Sequence, residues 1–387
     1  MSRISEVAST FKESIAREMT RLSGEHEAIN LSQDFPDFPT SKVLVQSAME
    51  SLRKGNNHIT TSWGIPQLRL SISQSVKEHA KLQYDPDYEV TITSGVSEGL
   101  AASILGLVRK KKEVVLFEPF YEHYIPMIAF AGCKPKTVTI NPDLSFDEEA
   151  LKDAFTKNSD AVILNSPHNP TGKVFTKHEL ELIADLCEDN DCIAISDEVY
   201  NDIYFDNNSH KSIASIDKMR ERTVVLRGLS RTFNATGWRM GYALAPVALS
   251  EGIRRVHELL TTCAPAPFQQ TFMEALDTDP VYYHTIRGHY QHIRDMLYDG
   301  LKGAGFEPIK PQGTYYILAD YSKWADGYND DSVFARWLTE DRGVASMPGS
   351  SFYLHNKKSN YVRFSFCKSE NVIAEAVSRI KEKMEKL

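Results

Sequence analysis

Five cysteines in 387 residues, odd in number and with no Cys-x-x-Cys pair, leave neither a disulfide framework nor a zinc knuckle to build on. Cys133, Cys187, Cys192, Cys263 and Cys367 therefore read as free, mostly buried thiols of a reducing compartment. Basic residues number 44 against 52 acidic ones, and a net charge of −8 gives no global positive field for nucleic acid or an anionic membrane. The longest nearly apolar run, 99–108, falls far short of the roughly 20 residues of a membrane span, and the first 21 residues interleave charges where a signal peptide has an apolar centre. A soluble cytoplasmic protein is expected. Also missing are Gly-x-Gly-x-x-Gly, the Walker lysine loop, His-Glu-x-x-His and Gly-x-Ser-x-Gly, which removes the commonest dinucleotide, nucleotide, zinc-protease and hydrolase readings. The twelve histidines show no metal-ligand spacing, so no metal is assigned.

What is present suits a globular protein of two parts. With 42% hydrophobic and 25% charged residues the chain can bury a sizeable core, and its length exceeds the roughly 250–300 residues at which single cores stop growing. Short β-rich runs at 89–93, 113–117, 135–140, 161–165, 192–196, 223–226 and 241–245 alternate with helix-period stretches at 98–109, 146–155 and 177–188. That rhythm predicts a large, mostly parallel doubly wound α/β sheet with helices on both faces. After about residue 277 the pattern changes to a long helix at 281–301 leading into 313–321, then a helix, a strand at 361–367 and a final helix at 371–384. The expected division is a large domain over 45–277 and a smaller α+β domain built from 1–44 and 278–387.

Open α/β sheets bind ligands beyond the carboxyl ends of their strands. There the chain reads Thr93-Ser94-Gly95-Val96-Ser97-Glu98, a strand entering a helix through small residues, whose free N–H groups suit an anion. Glu118-Pro119-Phe120-Tyr121 and Asn165-Ser166-Pro167-His168-Asn169-Pro170-Thr171-Gly172 follow, then Ser196-Asp197-Glu198-Val199-Tyr200. An acid ending a buried strand needs a cationic partner or a shifted pKa, and a cationic heterocyclic nitrogen would serve.

With the run 228–242 (Gly-Leu-Ser-Arg-Thr-Phe-Asn-Ala-Thr-Gly-Trp-Arg-Met-Gly-Tyr), 29–38, 311–315 and Tyr361-Val362-Arg363-Phe364, these clusters resemble the fold-type I pyridoxal-phosphate (PLP) aminotransferases, nearest the methionine and kynurenine branch. The similarity spans nearly the whole chain. It implies that Asp197 pairs with the pyridine nitrogen of PLP, that Tyr200 and Asn169 bond its phenolic oxygen and that Tyr121 stacks on its ring. The phosphate would lie on the N–H groups of Gly95, Val96 and Ser97 and pair with Arg239. Arg363 would fork onto the substrate α-carboxylate. The resemblance further implies transamination of an L-α-amino acid to a 2-oxo acid, and a homodimer with active sites at the subunit interface.

Departures from that pattern carry as much information. Arg231 stands where the family has the lysine that binds PLP covalently and shuttles the α-proton, and a guanidinium suits neither task. Little or no turnover is expected of this form. Arg231 is either a substitution introduced to trap a cofactor–substrate complex or a natural abandonment of transamination; the intact Asp197, Tyr200, Asn169, Arg239 and Arg363 favour the first. Gly228 replaces a phosphate-holding serine, and Ile59 the tyrosine given by a partner subunit, with His58 and Thr60 as neighbouring substitutes. Ser32 and Asp34 replace two glycines; Asp34 either selects a cationic substrate side chain or turns to solvent or a nearby basic residue. Ala16 occupies an often aromatic position of the substrate pocket. Two other readings accompany transamination: cyclisation or elimination of a cationic, arginine-like amino acid, and a non-catalytic ligand-binding protein.

Overall fold

The computed structural model describes residues 4–9, 11, 14–324, 328–356 and 358–382. Seven strands form the large sheet: β1 (Val90–Thr93), β2 (Glu113–Glu118), β3 (Lys134–Thr139), β4 (Ser159–Asn165), β5 (Ile193–Asp197), β6 (Thr223–Arg227) and β7 (Gly241–Leu244). Their spatial order is β1-β7-β6-β5-β4-β2-β3. All neighbours from β6 to β3 run parallel, while β7 is antiparallel to both β1 and β6. The alternation of strands and helices predicted the parallel core; the reversed β7 carries no such signal, because its local pattern is that of any buried strand.

The central strands are apolar throughout because both faces are covered. Alternate residues go to opposite cores: Val114 and Leu116 pack with Leu100 and Ile104 of the helix Val96–Leu107, whereas Val115 and Phe117 pack with Leu151, Leu180 and Ile183 on the other side. Local signals fix several helix ends. Thr176 and Glu179 close a capping box on the helix Lys177–Asp189, and Gly343 ends the helix Asp331–Arg342 in the left-handed conformation.

A second core gathers Met19 and Leu31 with residues from Ile286 to Ile380 around a four-stranded antiparallel sheet. Its central strands, Tyr316–Asp320 and Tyr361–Ser365, pair in the register Leu318 to Arg363. The N-terminal segment joins by pairing Ile29–Asn30 in parallel with Val344–Ala345, and the Leu31 carbonyl accepts from the Ser365 N–H at 2.7 Å. This tie carries residues 32–34 to the edge of the large sheet. The last helix spans Glu370–Glu382, and its expected end at residue 384 lies outside the described residues. Four cysteines are buried, Cys263 is half-buried, and all five are free. Among the described residues no helix is long and apolar enough to cross a membrane, and no group of three or more potential metal ligands occurs.

Candidate active site

The carboxyl ends of β1, β2, β4 and β5 open on one cavity lined by Val96, Ser97, Tyr121, Asn165, Asn169, Asp197, Tyr200 and Arg231. Asp197, at the end of β5, is 5% exposed. Its carboxylate accepts from the Tyr124 hydroxyl at 2.7 Å and from the Val199 N–H at 3.3 Å, and has no ion pair among the described residues. Burial pushes the carboxyl up to about 6. The next residue shows the opposite solution. Glu198, fully buried, bonds Arg227 at 2.7 Å and His210 at 3.0 Å, and despite its burial the Arg227 guanidinium and these hydrogen bonds hold it well below the usual carboxylate range. Strand alternation sends Glu198 into a satisfied structural network and leaves Asp197 facing the cavity without an ion-pair partner.

At the end of β1, the first-turn amides of Val96 and Ser97 are groups that a helix leaves without internal partners. Gly95 serves differently from expectation. Its N–H already donates to the Thr93 carbonyl at 2.8 Å, so it is not a free anion donor. It provides room instead: its φ is +79°, and a Cβ there would lie 2.4 Å from Nη2 of Arg239. Arg239 is exposed, donates to the Thr236 carbonyl at 3.2 Å and has no carboxylate partner among the described residues. Glu98, in the same turn, accepts from the Ser94 N–H and from His257, both at 3.0 Å. Tyr121 packs edge-on to Tyr124, with ring centroids 5.5 Å apart, and meets His123 through its hydroxyl at 2.5 Å.

From the smaller sheet comes Arg363, 6% exposed. Its guanidinium donates to Asn169 Oδ1 at 3.0 Å and to the Ser32 carbonyl at 2.9 Å, and lies 4.1 Å from the Tyr316 ring centroid and 4.8 Å from that of Phe352. Its Nε has no partner, and no carboxylate is ion-paired to it among the described residues. Asn169 therefore presents its oxygen to Arg363. Tyr200 meets the Tyr316 hydroxyl at 2.8 Å.

Arg231 follows β6 and reaches Asp34. Its Nη2 lies 2.5 Å from Asp34 Oδ2, and its Nη1 donates to the Asp34 carbonyl at 3.0 Å. The Asp34 carboxylate is thus engaged by a neighbouring basic residue, one of the alternatives the sequence leaves open, rather than offered to a cationic side chain. Burial works against both charges, but the pairing overrides it: Arg231 is held protonated above its usual range, and Arg231 with Arg363 keeps Asp34 below the usual carboxylate range.

Other departures have local reasons. A Cβ at Gly228 would meet the Met240 carbonyl at 3.0 Å and Val96 at 3.2 Å, which leaves little space for a serine. Ile59 is 74% exposed, His58 is exposed, and Thr60 accepts from Gln269 at 3.0 Å. Ala16 packs against the smaller core. Sequence reasoning missed Tyr124, Tyr315 and Tyr316. Tyr124 is 73 positions from the acid it serves, so only its place one turn after Tyr121 could have hinted at it.

The donor set matches a ligand with an anionic group for the Val96 and Arg239 end, a cationic ring nitrogen for Asp197 and a carboxylate for Arg363. PLP bearing an amino acid has all three, and the residues fit it except at the covalent anchor and at Gly228 and Ile59, which offer the phosphate no side-chain donor. Comparisons with known proteins agree in kind. The sequence profile described as Aminotransferase class I and II matches residues 26–380. A Mycobacterium tuberculosis protein named Probable N-succinyldiaminopimelate aminotransferase DapC is 36% identical, over 98% of this chain and 97% of its own. A methionine aminotransferase of Escherichia coli is 33% identical, over 95% of each chain. The solved structure of the N-succinyldiaminopimelate aminotransferase from Mycobacterium tuberculosis superposes with a TM-score of 0.94 at 35% identity, covering 98% of this chain and 99% of that one.

Proposed function

From the premise that this chain belongs to the class I and II aminotransferases, enzymes of fold type I that use PLP, we propose that it binds PLP reversibly, together with an L-α-amino acid, and turns over little. The reading rests on one observation: a buried anion, Asp197, and a buried cation, Arg363, on either side of Asn169, each form no ion pair among the described residues. Buried charges left unpaired are costly, so each is explained by a ligand that neutralises it.

When bound, PLP supplies an electron sink for the substrate α-carbon. Ionised Asp197 holds a proton on the ring nitrogen, with Tyr124 orienting the carboxylate. Tyr121 covers the ring, and Val96, Ser97 and Arg239 take the phosphate. Arg363 forks onto the amino acid carboxylate, for which Asn169 yields its place. Arg231 cannot release its proton, so it neither attacks an aldehyde nor moves the α-proton. Transamination to a 2-oxo acid is the reaction for which the remaining residues are arranged. A homodimer completes the proposal, supported by exposed apolar residues such as Ile59 and Leu259.

Titration of the protein with PLP, followed by dialysis and by mass measurement after borohydride, tests this. Saturable binding that dialysis removes, with no mass gain, is expected, together with negligible 2-oxo acid from a panel of amino acids. Absence of binding, or steady turnover, overturns it.

A further inference from the structure

Two departures from the family pattern, Asp34 and Arg231, are separated by 197 positions and meet in one contact. The contact is two-pronged: one guanidinium nitrogen takes the Asp34 carboxylate and the other takes its main-chain carbonyl. Two tyrosines complete the cage, Tyr316 donating to Asp34 Oδ2 and Tyr315 to the Asp34 carbonyl, each at 3.3 Å. Both side chains are largely sheltered, at 20% exposure for Arg231 and 27% for Asp34. The Arg231 guanidinium also lies within 6 Å of two rings, at 5.7 Å from Tyr200 and 5.9 Å from Tyr315.

We propose that Asp34 and Arg231 act as one unit, a fixed ion pair that fills the covalent-anchor position and bars attachment of an aldehyde cofactor, so that restoring the anchor near neutral pH requires changing both residues. With glycine at 34, Arg231 would lose its ion-pair partner; with lysine at 231, Asp34 would capture the ammonium. This makes Asp34 a positioning residue that acts through residue 231. The inference rests on the PLP reading above.

Condensation of an amine with the aldehyde forms a carbon–nitrogen double bond and releases one water, and it requires the amine to be unprotonated. A neighbouring carboxylate favours the ammonium, so deprotonation shifts to higher pH. Arg231→Lys, Arg231→Lys with Asp34→Gly, and Arg231→Lys with the near-isosteric Asp34→Asn are incubated with PLP across a pH series. Visible absorbance and borohydride-fixed mass on the residue 231 peptide are read, with fluorescence titration reporting non-covalent binding and circular dichroism the fold. The single variant is expected to form the covalent adduct only at elevated pH, with its midpoint at least one pH unit above that of the double variants. Equal midpoints overturn the proposal, as does absence of adduct in every variant while non-covalent PLP binding persists. Loss of all PLP binding, in these variants and in the unaltered protein, overturns the cofactor reading along with it.

Discussion

Two carboxylates flank the cavity from different parts of the molecule, and they are in opposite states. Asp197, at the end of β5 in the large sheet, is buried with a tyrosine and one backbone amide but no ion-paired cation among the described residues, and its carboxyl is pushed up to about 6. Asp34, carried in by the N-terminal segment, is locked to Arg231 and held below the usual range. The sheet side of the site thus awaits a charge from a ligand, while the N-terminal side has satisfied its own. Binding capacity and catalytic capacity separate along that line: the groups that would hold a cofactor are free, and the position that would react with it is occupied.

The contrast is broken most strongly at Asp197. Asp197→Asn removes the anion that a cationic ring nitrogen needs, and PLP affinity measured by fluorescence titration should fall about 100-fold, the scale of one lost buried charge pair. Next in size, Arg363→Lys keeps the charge but loses the planar fork. Binding of an amino acid to the PLP-loaded protein should weaken about tenfold, with PLP affinity itself unchanged, as calorimetry can measure. Gly95→Ala places a methyl group against Arg239 at a positive φ; PLP affinity should drop several-fold, and thermal denaturation should register a loss of about 1 kcal/mol.

The smallest effect is that of pH. In the free protein Asp197 takes up a proton as pH falls through about 6. Binding a cationic ring nitrogen then requires that proton to be expelled. PLP affinity should therefore weaken as pH falls through 6, by about twofold at that pH. Titrations at a series of pH values, with Asp197→Asn as the insensitive control, check the sign.

Much of this architecture was legible because its signals are local. Seven β runs, most of them apolar and covered on both faces, and strand-end clusters such as Ser196-Asp197-Glu198 announce a doubly wound sheet and its ligand edge. The strands fall within about two residues of their expected limits. The helices Lys42–Arg53, Pro66–Ala80, Val247–Thr261 and Ala266–Leu276 were not among the expected elements; the second starts at Pro66, which resembles a turn. In the site, the chemistry of Asp197 and Arg363 could be anticipated from residue type and place. The direction of the Gly95 N–H, the service of Tyr124 and the cage of Tyr315 and Tyr316 could not, since each is a contact made by folding.

By itself, the sequence determined the class of sheet, the edge where a ligand binds, the charges placed there and the presence of arginine at position 231, because periodicity and residue chemistry are properties of short segments. Only the tertiary structure decided which charges remain free. Glu198 and Asp34 are neutralised by Arg227 and Arg231 through long-range packing, whereas Asp197 is not, and no local pattern records whether a distant arginine arrives.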